Sequence, residues 1–169
     1  MSELRRVKND LMDTKVFQVV VTIVRMALGV MFIYAGITKI IAPAGFALAV
    51  YNYHILPAPL VNVTAIVLPW VEVIAGTFLV LGLWVPGGAL VVSSLFFVFT
   101  IALGFNLSRG LDIACGCFSS SPTVEKITWW YLIRDSSLMA LSLLVLLVDS
   151  RWLSLDAYLS ARRYKIEQT

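Results

Sequence analysis

The residues best suited to chemistry are two cysteines separated by one glycine, Cys115 and Cys117. They are the only cysteines in the 169-residue chain, so they pair with each other or with another protein. A Cys-x-Cys disulfide closes a very small ring, which adds little stability and strains the bond. A strained bond is reduced easily and suits electron exchange better than cross-linking. We therefore predict thiol–disulfide exchange here, with a passive disulfide or two small apolar side chains as the alternative.

Four charged residues within apolar segments form a second group: Arg25, Glu72, Arg134 and Asp135. A charge near the middle of a bilayer costs at least ~2.5–3.5 kcal/mol and usually faces a partner inside the protein. Arg25 lies about 13 Å from the inner edge and Glu72 about 18 Å from the outer edge, at 1.5 Å per residue. These similar depths predict an Arg25–Glu72 ion pair. Arg134 and Asp135 are adjacent and point to different faces, so each is expected to contact another helix.

Pro69 lies close to Trp70 and Glu72, in the middle of one apolar segment. A proline inside a helix removes one backbone hydrogen bond and kinks the helix. We therefore predict a pocket lined by Arg25, Trp70 and Glu72, with the adjacent charges of the fourth segment at its mouth. In the alternative reading, the Arg25–Glu72 pair only fixes the register of two helices.

Long apolar segments must position these residues. The chain is 60% hydrophobic and only 14% charged, which argues against a soluble enzyme, a disordered chain or a nucleic-acid binder. A membrane-spanning helix needs roughly 20 apolar residues, and four segments are long enough. Two cysteines and one histidine are too few for most metal sites. We predict an all-α integral membrane four-helix bundle whose spans are 16–37, 60–85, 87–107 and 127–148.

The outer loops differ in character. Residues 43–56 are apolar but too few to span, which predicts a short helix at the membrane surface between the first two spans, ended by Pro57 and Pro59. Residues 108–126 form the longer loop, which carries both cysteines. The predicted organisation is an N-terminal tail at 1–15, one four-helix domain at 16–148 and a C-terminal tail at 149–169.

The distribution of Lys and Arg predicts the orientation. The two tails carry eight of these residues, whereas the loops after the first and third spans carry three. Positive charge is enriched on the cytoplasmic side of short loops. Both tails are therefore expected to be cytoplasmic and the cysteine loop extracytoplasmic, in a bacterial inner membrane with lipid around the bundle.

Three motifs resemble those of a known family. The first two resemble the helix signatures of DoxX-type membrane proteins, and they read Arg25-x-x-Leu28-Gly29-x-x-Phe32-x-x-Ala35-Gly36-x-x-Lys39 and Leu68-Pro69-Trp70-x-Glu72-x-x-x-Gly76. The third is similar to the branch that includes MauE proteins of methylamine utilisation, and it reads Arg109-Gly110 followed by Cys115-Gly-Cys117-Phe118. The resemblance extends roughly from Arg25 to Arg134.

The resemblance implies a four-helix bundle tied to thiol–disulfide or sulfur redox chemistry outside the cytoplasm. MauE-like proteins are associated with forming disulfides in methylamine dehydrogenase alongside a thioredoxin-like partner, and DoxX relatives with thiosulfate:quinone oxidoreduction. The bundle is also similar to vitamin K epoxide reductase, which passes electrons between cysteines and a quinone through a Cys-x-x-Cys pair. The leading expectation is exchange between a thioredoxin-like partner and a quinone through Cys115 and Cys117. The quinone is expected in the pocket of Arg25, Trp70 and Glu72. Arg134 and Asp135 are expected to order the mouth of that pocket.

Two other functions stay open. The chain is alternatively a non-enzymatic membrane subunit or assembly factor that docks a redox protein. A small proton-coupled transporter that uses Glu72 is the third interpretation, although a paired carboxylate titrates poorly near neutral pH. The sequence therefore does not decide whether the protein is an enzyme or whether it forms a homo-oligomer. No nucleic-acid partner is expected.

Overall fold

The fold was analysed in a computed structural model that describes residues 15–109 and 129–148. These residues form five helices and no strand: α1 (Lys15–Ile41), α2 (Pro43–Asn52), α3 (Ala58–Leu81), α4 (Val85–Ser108) and α5 (Trp129–Leu147). All except α2 are long and apolar enough to cross a membrane. The predicted all-α membrane bundle, with a short helix between its first two spans, is therefore confirmed. Cys115, Cys117 and nearly all of both tails lie outside the described residues.

Two helix ends differ from the predicted spans by four residues, and the other ends by one or two. α1 continues to Ile41, four residues past the predicted end, so Lys39 lies in its last turn and not in a loop. α3 ends at Leu81 because Gly82 adopts a left-handed conformation with φ 67° and caps the helix. Val85, which was predicted to end this span, begins α4. The predicted spans place the break at Pro86 instead, because Leu83, Trp84 and Val85 are all apolar.

α1 and α3 pack so closely that their backbones touch. A Cβ atom added at Gly29 would lie 2.8 Å from the Gly76 carbonyl oxygen, and one added at Gly36 would lie 2.7 Å from that of Pro69. These distances leave no space for a side chain. In membranes, small residues allow such close approach, because packing rather than the hydrophobic effect drives helix association. The glycines therefore fix the register of α1 against α3.

The core lies where all four spanning helices meet. Phe32 of α1 and Phe96 of α4 pack edge to face, with ring centroids 5.1 Å apart. Between α4 and α5, the hydroxyl oxygens of Ser93 and Ser142 lie 2.8 Å apart, and both residues are buried. The outer faces of the long helices expose large apolar side chains, which is expected of surfaces that contact lipid.

The short helix α2 packs against α3. Pro43 occupies its first turn, where a missing backbone N–H removes no helix bond, and Phe46 is its buried residue. The helix ends at Asn52, earlier than the predicted 56. The backbone of His54 is left-handed, with φ 49°. The predicted short helix is thus present but ends early, and Phe46 is the residue that it buries against the bundle.

The glycine contacts lead to a paired prediction. Gly29→Ala should destabilise the bundle by about 1–3 kcal/mol, because overpacking outweighs the ~0.5–1 kcal/mol that alanine gains in a helix. Gly104→Ala is the matched control, since within residues 15–109 and 129–148 a Cβ there would meet nothing closer than the Leu132 side chain at 3.9 Å. Thermal unfolding in detergent should show a lower Tm for the first variant and an equal or higher Tm for the second. An unchanged Tm for Gly29→Ala would contradict the tight α1–α3 contact.

Candidate functional site

The most deeply buried charged pair joins α1 to α3. Lys39 Nζ donates a hydrogen bond to Glu72 Oε1 at 2.6 Å, and the side chains are 3% and 2% exposed. Lys39 reaches this carboxylate from the last turn of α1, whereas Glu72 lies well inside α3. Unpaired charges are costly in an apolar interior, so each residue makes the burial of the other acceptable.

Aromatic rings from two other helices surround the Lys39 ammonium group. Its nitrogen lies 4.9 Å from the ring centroid of Phe46 in α2 and 5.4 Å from that of Phe99 in α4. A cation over an aromatic face is attracted by the negative charge density of the ring, and the attraction grows when water is excluded. Lys39 therefore contacts three helices besides its own.

A second ion pair lies within α5. Arg134 donates from Nε and Nη2 to Asp135 Oδ1, at 3.0 and 2.9 Å. Asp135 is buried, whereas the Arg134 side chain is 30% exposed and lies over the Tyr131 ring. The prediction that Asp135 pairs with another helix is wrong. Although adjacent residues leave the helix in different directions, the long arginine side chain bends back to its neighbour's carboxylate.

Lys39, Glu72 and Asp135, from the two ion pairs, line one small cavity. It has a volume of about 20 Å³, which is enough for about one water molecule. Glu72 Oε2 is buried there and accepts no hydrogen bond from any described residue. The remaining lining is largely aromatic and brings together α1, α3, α4 and α5 through Phe32, Ala35, Lys39, Glu72, Phe96, Phe99 and Asp135.

Arg25 is buried but lies far from this cavity. Gly29 packs beside Gly76 and Val80, which places Arg25 one turn further toward the opposite end of the bundle. The separation from Glu72 is about ten residues along the helix axis, or about 15 Å. The predicted Arg25–Glu72 ion pair is therefore wrong. The error came from matching depths measured from the helix ends. The glycine contacts show that α3 begins beyond the end of α1, so Glu72 is level with the region around Gly36.

Trp70 faces away from the interior. Its side chain is 55% exposed on the outer surface of α3, whereas Glu72 is 2% exposed. Of the predicted pocket residues, the structure brings together Glu72 and Asp135, with Arg134 beside them, and leaves out Arg25 and Trp70. Lys39 was missed as a site residue, although it ends the DoxX-like motif. Its position three residues after Gly36 places it on the α1 face that contacts α3 and could have signalled its role.

The cavity lies toward the end of the bundle from which the cysteine segment emerges. α4 ends at Ser108 and α5 begins at Trp129, so the segment that carries Cys115 and Cys117 connects these two helix ends. Asp135 is six residues into α5, about 9 Å along the axis. The charged cluster of Lys39, Glu72, Arg134 and Asp135 is therefore about two helical turns from one end of that segment.

The Lys39–Glu72 pair predicts an asymmetric mutational effect. Lys39→Met should destabilise the protein by about 3–5 kcal/mol, because it leaves a buried carboxylate without its counter-charge. The double variant Lys39→Met/Glu72→Met should recover most of that loss, since it removes both charges and keeps much of the volume. Thermal unfolding of the full chain in detergent checks both. If the double variant is no more stable than the single one, the buried pair is not what the substitution disrupts.

Comparison with known proteins agrees with this architecture. The family model of the methylamine utilisation protein MauE matches residues 17–148. The chain is 32% identical to the methylamine utilization protein MauE of Paracoccus denitrificans over 122 residues, which are 72% of this chain and 65% of that protein. The corresponding protein of Methylophilus methylotrophus is 31% identical over 130 residues, or 75% and 68%. That of Methylorubrum extorquens is 34% identical over 121 residues, or 71% and 64%.

The matched region thus spans about two thirds of the length of these relatives. No solved structure matches the chain. The family match covers all four spanning helices and the segment that carries both cysteines. The chain is a multi-pass membrane protein and belongs to the MauE family.

Proposed function

We propose that this membrane protein is a redox accessory of methylamine utilisation that exchanges disulfides with an extracytoplasmic thioredoxin-like protein. The exchange would use Cys115 and Cys117. One observation carries the proposal: the chain's two cysteines flank a single glycine in the segment between α4 and α5, inside the region that matches the MauE family. The names of the relatives supply the physiological setting, methylamine utilisation.

The chemistry is a two-step thiol–disulfide exchange. A thiolate of the pair attacks one sulfur of the partner's disulfide, which forms a mixed disulfide and releases the partner's other sulfur as a thiolate. The second thiolate of the pair then attacks the mixed disulfide, forms the Cys115–Cys117 bond and releases the reduced partner. Two electrons and two protons pass to the partner. The reverse sequence reduces the pair, and relative reduction potentials decide the direction.

The four membrane spans support this role because they hold the cysteine segment at one face of the membrane. The excess of Lys and Arg in the two tails favours an orientation in which this segment is extracytoplasmic. Disulfides persist in that compartment, whereas the cytoplasm keeps thiols reduced. Proteins that carry disulfides are therefore available there to exchange with Cys115 and Cys117.

A quinone was predicted as the other redox partner, and the cavity gives a test of fit. A volume of about 20 Å³ admits one water molecule and not a quinone ring. The residues predicted to bind the quinone also do not come together. Arg25 is distant from the cavity, and Trp70 lies on the outer surface of α3. We therefore derive no step through a quinone. The proposal is confined to exchange with a protein partner, and the quinone stays a prediction.

Single-cysteine variants provide the direct test. Cys117→Ser should trap a mixed disulfide with the partner if Cys115 attacks, and Cys115→Ser should do so if Cys117 attacks, because the resolving thiol is missing. Non-reducing electrophoresis of membranes should show an adduct that disappears on reduction. The double Cys→Ser variant is the control. No adduct from either single variant, together with normal partner maturation in the double variant, would favour a non-enzymatic assembly factor.

Orientation and redox activity can be measured together. A membrane-impermeant thiol reagent applied to the outside should label Cys115 and Cys117 only after reduction, because the resting pair is expected to be oxidised there. Titration in a thiol–disulfide buffer should give a reversible midpoint. Labelling from the cytoplasmic side alone would overturn the orientation, and a bond that resists strong reductant would argue against exchange.

A further inference from the structure

We propose that the cavity between α1, α3, α4 and α5 binds one water molecule, which joins the Lys39–Glu72 and Arg134–Asp135 ion pairs into one hydrogen-bonded network. This binding site is independent of the redox function proposed above. It rests on unused hydrogen-bonding groups, on the size of the cavity and on its balance of charge.

The hydrogen-bonding groups around the cavity are incompletely used. Glu72 Oε2 is buried and accepts no hydrogen bond from any described residue. Lys39 Nζ carries three protons but donates one hydrogen bond within the described part of the chain, to Glu72 Oε1. A buried carboxylate oxygen without a donor is unfavourable, and in native proteins such atoms are usually satisfied by protein groups or ordered water. The unused acceptor and the unused donors belong to residues that line the same cavity.

The size of the cavity selects the ligand. A water needs roughly 10–15 Å³ of space and two to four polar partners. The cavity provides about 20 Å³, and its polar lining consists of Lys39, Glu72 and Asp135. One water can accept a hydrogen bond from Lys39 and donate to the carboxylates of Glu72 and Asp135. The rings of Phe32, Phe96 and Phe99 form much of the remaining wall and leave no room for a larger polar molecule.

The charges of the cluster favour a neutral ligand. Lys39 already neutralises Glu72, and Arg134 already neutralises Asp135. A metal cation would lie beside the Lys39 ammonium group, and an anion would lie beside two carboxylates. Either ion would meet a like charge in a medium of low dielectric constant, where repulsion is strong. Water avoids both conflicts and supplies the bridge between two carboxylates on different helices.

Radiolytic footprinting of the full chain in detergent tests this site. X-rays convert a bound water into hydroxyl radicals that oxidise the adjacent side chains in place. Phe96 should therefore be oxidised several-fold faster in the natural sequence than in Ala35→Val, whose added methyl groups fill the cavity. Leu79, which is fully buried and does not line the cavity, is the internal control and should not change. Equal oxidation of Phe96 in a folded Ala35→Val variant would overturn the proposal.

A second measurement decides the question if Ala35→Val does not fold. Ala35→Cys and Ala89→Cys place one thiol beside the cavity and one in the buried apolar core, each in a Cys115→Ser/Cys117→Ser background. After transfer to heavy water, the infrared S–H band of the first should convert to S–D at least about tenfold faster, because exchange in a dry core requires local opening. Equal rates for the two thiols would overturn the water site.

Discussion

A lysine and a glutamate that share a buried hydrogen bond constrain the whole α1–α3 pair. In lipid, neither charge is tolerable alone, so the 2.6 Å contact between Lys39 and Glu72 requires the two helices to meet in one register. The same register brings the Gly29 and Gly36 positions against the backbone of α3. The ion pair and the glycine contacts therefore depend on each other, and the cavity forms beside them, where α4 and α5 close the bundle.

The fold class could be predicted from the sequence because the membrane leaves few alternatives. A long apolar segment in lipid must satisfy its own backbone hydrogen bonds, and a helix is the structure that does so. Four such segments were recognised and all four are helices. The boundaries were less certain, since the α3–α4 turn at Leu83 and Trp84 is as apolar as the helices around it. The left-handed conformations of Gly82 and Trp84 separate the two helices.

The site was predictable only in part. Glu72 and Asp135 were identified because a charge inside an apolar segment stands out, but their partners depend on the helix ends and on side-chain reach. The offset between the end of α1 and the start of α3 makes Arg25 and Glu72 look equally deep, although Lys39 is the residue that reaches Glu72. Trp70 and Glu72 are two residues apart, which is about 200° around a helix, so they were bound to face opposite sides. The cysteines, where the proposed chemistry takes place, lie outside the described residues.

The charge balance of the cluster has an electrical consequence. With Lys39, Arg134, Glu72 and Asp135 all ionised, two positive charges accompany two negative ones, and their sum is zero. A single charge moved across a membrane gains or loses about 2.3 kcal/mol per 100 mV. A neutral cluster that shifts as a unit exchanges almost none of this energy with the field. A displacement of this cluster as one unit is therefore nearly independent of the membrane voltage.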